Sequence, residues 1–232
     1  MKLRNKQAIE TINQESLLIG GFFVLRTSRN YIIIVVMDHE GAINHILNRL
    51  STELPEHLTY HGKHHTDDVM QSVVVIGNHH SISKTELNLL RVAAAYHDSG
   101  FIYGHESHEA KGCEIAKETL PKFGFTNGQI EEICKMIMAT KVPQQPNGTL
   151  SDVLCDADLD YLGRDDFEEI AASLFKELKY SGIVENEMQS NRIQLGFLQN
   201  HTYHTDFGKE IRQPQREIHL NRLKDIVSGY DQ

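Results

Sequence analysis

The stretch "AAAYHDSGF", residues 93–101, decides how this chain is read. A run of small apolar residues ends abruptly in His97 and Asp98, with Gly100 just beyond. An imidazole beside a carboxylate at such a boundary is either two polar residues closing a helix or a pair of adjacent metal ligands. The run itself is helical. "SKTELNLLRVAAAYH" opens with Ser83 and Glu86 in capping-box relation, each able to satisfy a free N–H of the first turn.

Working outward, helical patterns continue on both sides. Upstream, Asp38 is placed to cap a helix through "AINHILNRLSTEL", where Ile43, Ile46, Leu47 and Leu50 recur at spacings of three and four. "HTDDVMQSVVVIGNHH" follows, with Thr66 and two aspartates early, as helix starts prefer. Downstream come "SHEAKGCEIAKETLPKFG", "TNGQIEEICKMIMATK", "SDVLCDADLDYLG" and "RDDFEEIAASLFKELKYSG". Two further helices are expected over roughly 184–200 and 203–228. No βαβ alternation appears, so the expected fold class is all-α, a compact irregular helical bundle. Residues 1–36 look different: "GGFFVLRTSRNYIIIVV" has Gly-Gly, β-branched residues and no helical period. They are read as an N-terminal extension (a short strand or hairpin, a tail, or residues upstream of the natural start), and 37–232 as the helical domain.

Composition narrows the function classes. The 232 residues suit one domain with extensions. With 23 basic and 32 acidic residues the net charge is -9, a poor basis for holding a nucleic-acid duplex or an anionic membrane. A small anionic substrate is still accommodated, because a bound metal supplies local positive charge. Cys113, Cys134 and Cys155 have no metal-knuckle spacing and are odd in number, which points to a reducing, cytoplasmic setting. "YIIIVVM", residues 31–37, is too short to span a bilayer. The oligomeric state is left open.

Fourteen histidines are many for this length. His61 and His65 stand four apart and share a face if their stretch is helical. His97 and Asp98 close one helix, His105 and His108 open the next, and Asp156, Asp158 and Asp160 lie in "DADLD". One terminal histidine is usually a cap, and one acidic turn is usually solvated. Histidine, His-Asp and aspartate in that order across successive helices are what a metal site in a bundle core requires. Mixed imidazole and carboxylate ligands suit a divalent Mn, Zn, Fe, Ni or Mg ion.

In this order and spacing the residues resemble the HD-domain superfamily of metal-dependent phosphohydrolases. The matching segments are "YHGKHHTDDV", "AAAYHDSGF", "HEAKGCEIA", "IMATKVP" and "DADLDYLG", spanning about 40–165, with weaker similarity through "FLQNHTYHT". The resemblance implies an HD-domain-like bundle and metal ligation by His65, His97, Asp98 and an aspartate of "DADL". Asp158 is preferred because it follows an alanine, with Asp156 close behind; residues two apart in a helix point to different faces, so only one can bind. His108 matches a position that adds a ligand or contacts phosphate in binuclear members. Thr140 stands where those members carry histidine, which favours one tightly held ion.

The implied reaction is hydrolysis of a phosphomonoester or phosphodiester, with a small, nucleotide-like phosphorylated substrate expected. Asp98 would orient or deprotonate the attacking water, and His61, Lys63, His108 or Lys141 would hold phosphate or protonate the leaving oxygen. Tyr60 and Tyr96 read as packing residues, although either could stack on a base. The alternatives are a non-catalytic ligand-sensing domain and a di-iron oxygenase, which would need a fuller ligand set than Thr140 allows.

Overall fold

The computed structural model describes the backbone of strands within residues 16–35 and the full structure of residues 37–230. Nine α-helices account for most of the latter among the described residues. They are α1 (His39–Glu53), α2 (Lys63–His79), α3 (Lys84–Tyr96), α4 (His108–Thr119), α5 (Asn127–Ala139), α6 (Thr149–Asp158), α7 (Phe167–Tyr180), α8 (Glu187–Asn200) and α9 (Gln213–Gly229). The all-α reading therefore holds for the helical domain.

Strands β1 (Ser16–Ile19), β2 (Phe22–Arg26) and β3 (Tyr31–Val35) pair in order as an antiparallel meander, with Phe22 opposite both Ile19 and Val35. This is the strand alternative for the first segment. How residues 1–36 pack, and hence whether they form a separate extension, lies outside the described residues.

The helix starts follow local chemistry. Asp38 accepts the Gly41 N–H at 2.8 Å, and Ser83–Glu86 and Thr126–Gln129 form capping boxes. One start differs from the sequence reading: α2 begins at Lys63 rather than Thr66, because Gly62 supplies the extended N-cap. The final stretch differs more. Instead of one helix over 203–228, a loop and a π-turn (Gly208–Arg212) precede α9. Asp156 accepts the main-chain N–H groups of His204 and Thr205, both at 2.8 Å, which holds that backbone out of a helix. Gly208 then passes so close that a β-carbon would lie 2.6 Å from Asp156 Oδ2.

Helix α3 is the centre of the larger core. Ala93, Ala94 and Ala95 are fully buried, and their small side chains let α1, α2, α5 and α6 pack around it. Ile46, Val73, Leu90, Ile133, Ile137 and Leu154 fill the space between. Each such side chain contributes about 1.5–3 kcal/mol on burial. A smaller cluster unites Tyr60 and the turn after α6 with α7, α8 and α9 through Leu159, Leu162, Phe167, Leu198 and Leu223. Asp158 ends α6 where the two clusters meet.

Candidate metal centre

His97 sits at the C-cap of α3 and is fully buried. Its Nδ1–H donates to the Ala94 carbonyl at 2.7 Å, one turn back. That bond fixes the ring so that Nε2 faces inward, the orientation usual for a metal-ligating imidazole. Asp98 follows, and the chain tightens into a 3-10 turn, Ser99–Tyr103. Gly100 permits this turn to press on the start of α4: a β-carbon there would lie 1.9 Å from the His108 carbonyl oxygen. His108 is thereby brought beside Asp98. His65 comes from the first turn of α2 and Asp158 from the last residue of α6.

Four groups converge. His65 Nε2 lies 3.4 Å from His97 Nε2, 3.5 Å from Asp98 Oδ2 and 3.1 Å from Asp158 Oδ1. His97 Nε2 lies 3.2 Å from Asp98 Oδ2 and 3.5 Å from Asp158 Oδ1. Ligands about 2.0–2.2 Å from one centre stand roughly 3.0–3.5 Å apart in octahedral or tetrahedral geometry, so these separations are those of ligands around an ion. Asp98 Oδ2 is buried and makes no hydrogen bond despite its near neighbours. A buried carboxylate oxygen without a donor is costly, and a cation removes that cost. His65, His97 and Asp98 could therefore hold a metal ion, with Asp158 alongside.

The electrostatics agree. Burial would lower the His97 pKa, but Asp98 and Asp158 outweigh it and raise it well above normal. Asp98 is held far below the usual carboxylate range despite its burial, chiefly by His97. Burial likewise pushes Asp158 up, but His65 and His97 bring it down to about 2. Both carboxylates are thus anions in a desolvated site, the charge a divalent ion would balance.

The remaining expected residues are placed as follows. His108 Nε2 lies 3.4 Å from Asp98 Oδ1, and burial lowers its pKa. His61 is held by Glu177 of α7, and its pKa is raised: burial opposes the charge, but the Glu177 hydrogen bond prevails. The His61 and His108 rings stack against Phe101, with centroids at 4.3 and 4.1 Å. Lys141 is exposed and lines the adjoining cavity. Lys63 pairs with Asp67 at 2.6 Å, and Tyr96 is a core residue bonded to Thr119. Asp156 is 1% exposed and faces away from the cluster, bonded to His204 and Thr205. Asp160 pairs with Arg164 and Arg212. Thr140 donates its hydroxyl to the Ile137 carbonyl at 2.8 Å.

Glu177 and Phe101 were not singled out from sequence. Glu177 accepts the Tyr60 and His61 main-chain N–H groups at 2.8 and 3.0 Å as well as the His61 ring. Its sequence signal is a carboxylate on the apolar stripe of α7, three residues after Leu174 and seven after Ile170.

A structure search matches a crystal structure of a predicted HD superfamily hydrolase from an uncultured Thermotogales bacterium, with a TM-score of 0.54 and 19% identity. The match covers 81% of this chain and 92% of that one. The chain has the HD-domain fold. No family model matches it, and no curated protein does either. Among the described residues, no helix is long and apolar enough to cross a membrane.

In this HD-domain chain a cavity of about 510 Å³ opens beside the cluster. Asp98, Asp158, His61, His108, Thr140 and Lys141 line it, and it extends between α7 and α8. A molecule in this cavity would reach the Asp98 and Asp158 carboxylates directly.

Proposed function

We propose that this chain is a metal-dependent phosphohydrolase acting on a phosphomonoester or phosphodiester. The observation that carries this reading is the convergence of His65, His97, Asp98 and Asp158, at 3.1–3.5 Å between neighbours, on the edge of a substrate-sized cavity.

Those four residues would hold the ion, which when bound draws charge from a phosphoryl oxygen and makes water a better nucleophile. The chain's own groups do the rest. Asp98 positions the attacking water and accepts its proton. His61, kept protonated by Glu177, donates to the leaving oxygen as the P–O bond breaks. His108, whose ring also packs on Phe101, stands beside Asp98 and binds a phosphoryl oxygen. Lys141 sits at the cavity as a further phosphate contact. Thr140 offers only a hydroxyl already bonded to Ile137, which supports a single ion. The three cysteines are free and buried, which fits the expected cytoplasmic setting.

The test is elemental analysis of the purified chain together with a phosphatase and phosphodiesterase panel in Mn, Zn, Fe, Ni and Mg. One equivalent of metal and phosphoester hydrolysis are expected. Tightly bound metal without any hydrolysis would instead support the ligand-sensing alternative.

A further inference from the structure

The cavity beside the metal cluster has two unlike ends. Its acidic, imidazole and lysine side chains all come from positions 60–61, 98–109, 140–141 and 158. From Leu159 onward its lining includes no Asp, Glu, His, Lys or Arg. Leu174 and Leu178, one turn apart on α7, face Ile193 and Phe197, one turn apart on α8, across it. Leu159, Leu162 and Leu198 complete this part and are almost fully buried in the second core cluster. These three leucines form a packed floor, and Leu174, Leu178 and Phe197 stay partly exposed above it, free to meet a ligand.

Among its exposed lining residues, Val142 and Ile193 are apolar, while His105, Ser107 and Lys141 are polar and belong to the metal-cluster end. Val142 and Ile193 are 58% and 47% exposed. Exposed branched side chains at a pocket mouth favour an apolar entrant. Recognition of a nucleoside needs matched donors and acceptors for base and ribose, and unmatched polar groups in such a pocket are strongly disfavoured. Among the described side chains, the far wall offers the Tyr161 hydroxyl and the Gln194 amide as its polar groups. Among the described residues that line the cavity Lys141 is the one lysine or arginine, and Asp98, Glu109 and Asp158 line the same end. A di- or triphosphate would meet those carboxylates with little cationic support beyond one ion.

We infer that the preferred substrate is a monophosphate ester of an aliphatic alcohol, with phosphate at the metal cluster and the hydrocarbon chain between α7 and α8. The chemical step rests on the phosphohydrolase reading; the binding does not. Water oxygen bonds to phosphorus and its proton passes to Asp98. The ester P–O bond breaks with its electron pair on the alkoxide, which takes a proton from His61. The products are the alcohol and inorganic phosphate, and nothing is oxidised or reduced.

The experiment uses the full chain loaded with Mn and two ligand series from methyl to decyl. Alkyl phosphates report turnover; non-hydrolysable alkyl phosphonates report binding by calorimetry. AMP is the nucleoside comparison. Both kcat/KM and the association constant are expected to rise about threefold to fourfold per added methylene until the wall is covered. Decyl phosphate should outcompete AMP. Ile193→Asp, at a half-exposed position that tolerates charge, should flatten both slopes. Chain-length-independent phosphonate binding, or a preference for AMP, would overturn the inference while leaving phosphohydrolysis intact. Steep phosphonate binding with no turnover of any ester would overturn phosphohydrolysis and keep the apolar site.

Discussion

Glu177→Gln tests whether the buried carboxylate of α7 sets the proton state of His61. Glu177 is 4% exposed and takes three donors: two main-chain N–H groups at 2.8 and 3.0 Å and the His61 ring. Hydrogen bonds to a charged group are each worth about 1.5–3 kcal/mol, and breaking a buried charged pair costs about 3–5 kcal/mol. Gln keeps the shape and one acceptor oxygen but turns an NH2 toward donors, so a loss of about 2–4 kcal/mol in urea unfolding is expected. The pH dependence has a definite sign. The folded pKa of His61 is raised, so its contribution is full below its unfolded value near 6.5 and fades as pH rises through the folded one. That of Glu177 is lowered despite its burial, chiefly through the His61 hydrogen bond, so its contribution fades as pH falls through the folded value. The stability difference between wild type and variant should therefore peak from about pH 4.3 to 6.5. In the proposed mechanism His61 donates a proton to the leaving group, so the alkaline limb of kcat/KM should move to lower pH in the variant. The rate near neutral pH should fall about 10²–10⁴-fold. An unmoved alkaline limb with normal stability would refute this role for Glu177.

Other outcomes follow from single contacts. Gly100→Ala puts a β-carbon 1.9 Å from the His108 carbonyl, so it should cost about 1–3 kcal/mol in thermal unfolding and displace His108, lowering kcat. Asp156→Ala leaves the His204 and Thr205 N–H groups without their acceptor; it should destabilise by about 2–5 kcal/mol yet keep bound metal, whereas Asp158→Ala should lose metal with a smaller change in stability. Deleting residues 1–36 should leave Tm and metal content of the helical domain nearly unchanged, and a large drop in either would show that the strands are a packed part of it.

Much of the helical architecture was legible because its signals are local. Ser83 with Glu86 and Asp38 before Gly41 mark helix starts through bonds three residues long, and the alanines before His97 announce a central helix. The site was partly legible. His65, His97 and Asp98 appear in order, but only the fold reveals that their donor atoms lie 3.2–3.5 Å apart. Asp156 and Asp158 could not be told apart by type, since both are aspartates on one helix. What separates them is a loop some fifty residues later that claims Asp156 through main-chain N–H groups, a contact with no side-chain signature at His204 or Thr205. Glu177 was hidden for a similar reason, because its partner His61 lies in a distant loop. The apolar wall is written in the spacing of Leu174, Leu178, Ile193 and Phe197, yet that pattern reads as ordinary core until α7 and α8 are seen to stand apart.

The central claim is that one divalent ion is held by His65, His97, Asp98 and Asp158. Anomalous diffraction from crystals of the wild-type chain grown with Mn tests it most directly. A single peak is predicted about 2.0–2.3 Å from His65 Nε2, His97 Nε2 and a carboxylate oxygen of both Asp98 and Asp158. A peak bound elsewhere, or none at saturating Mn with the His65 and His97 rings turned apart, would contradict it.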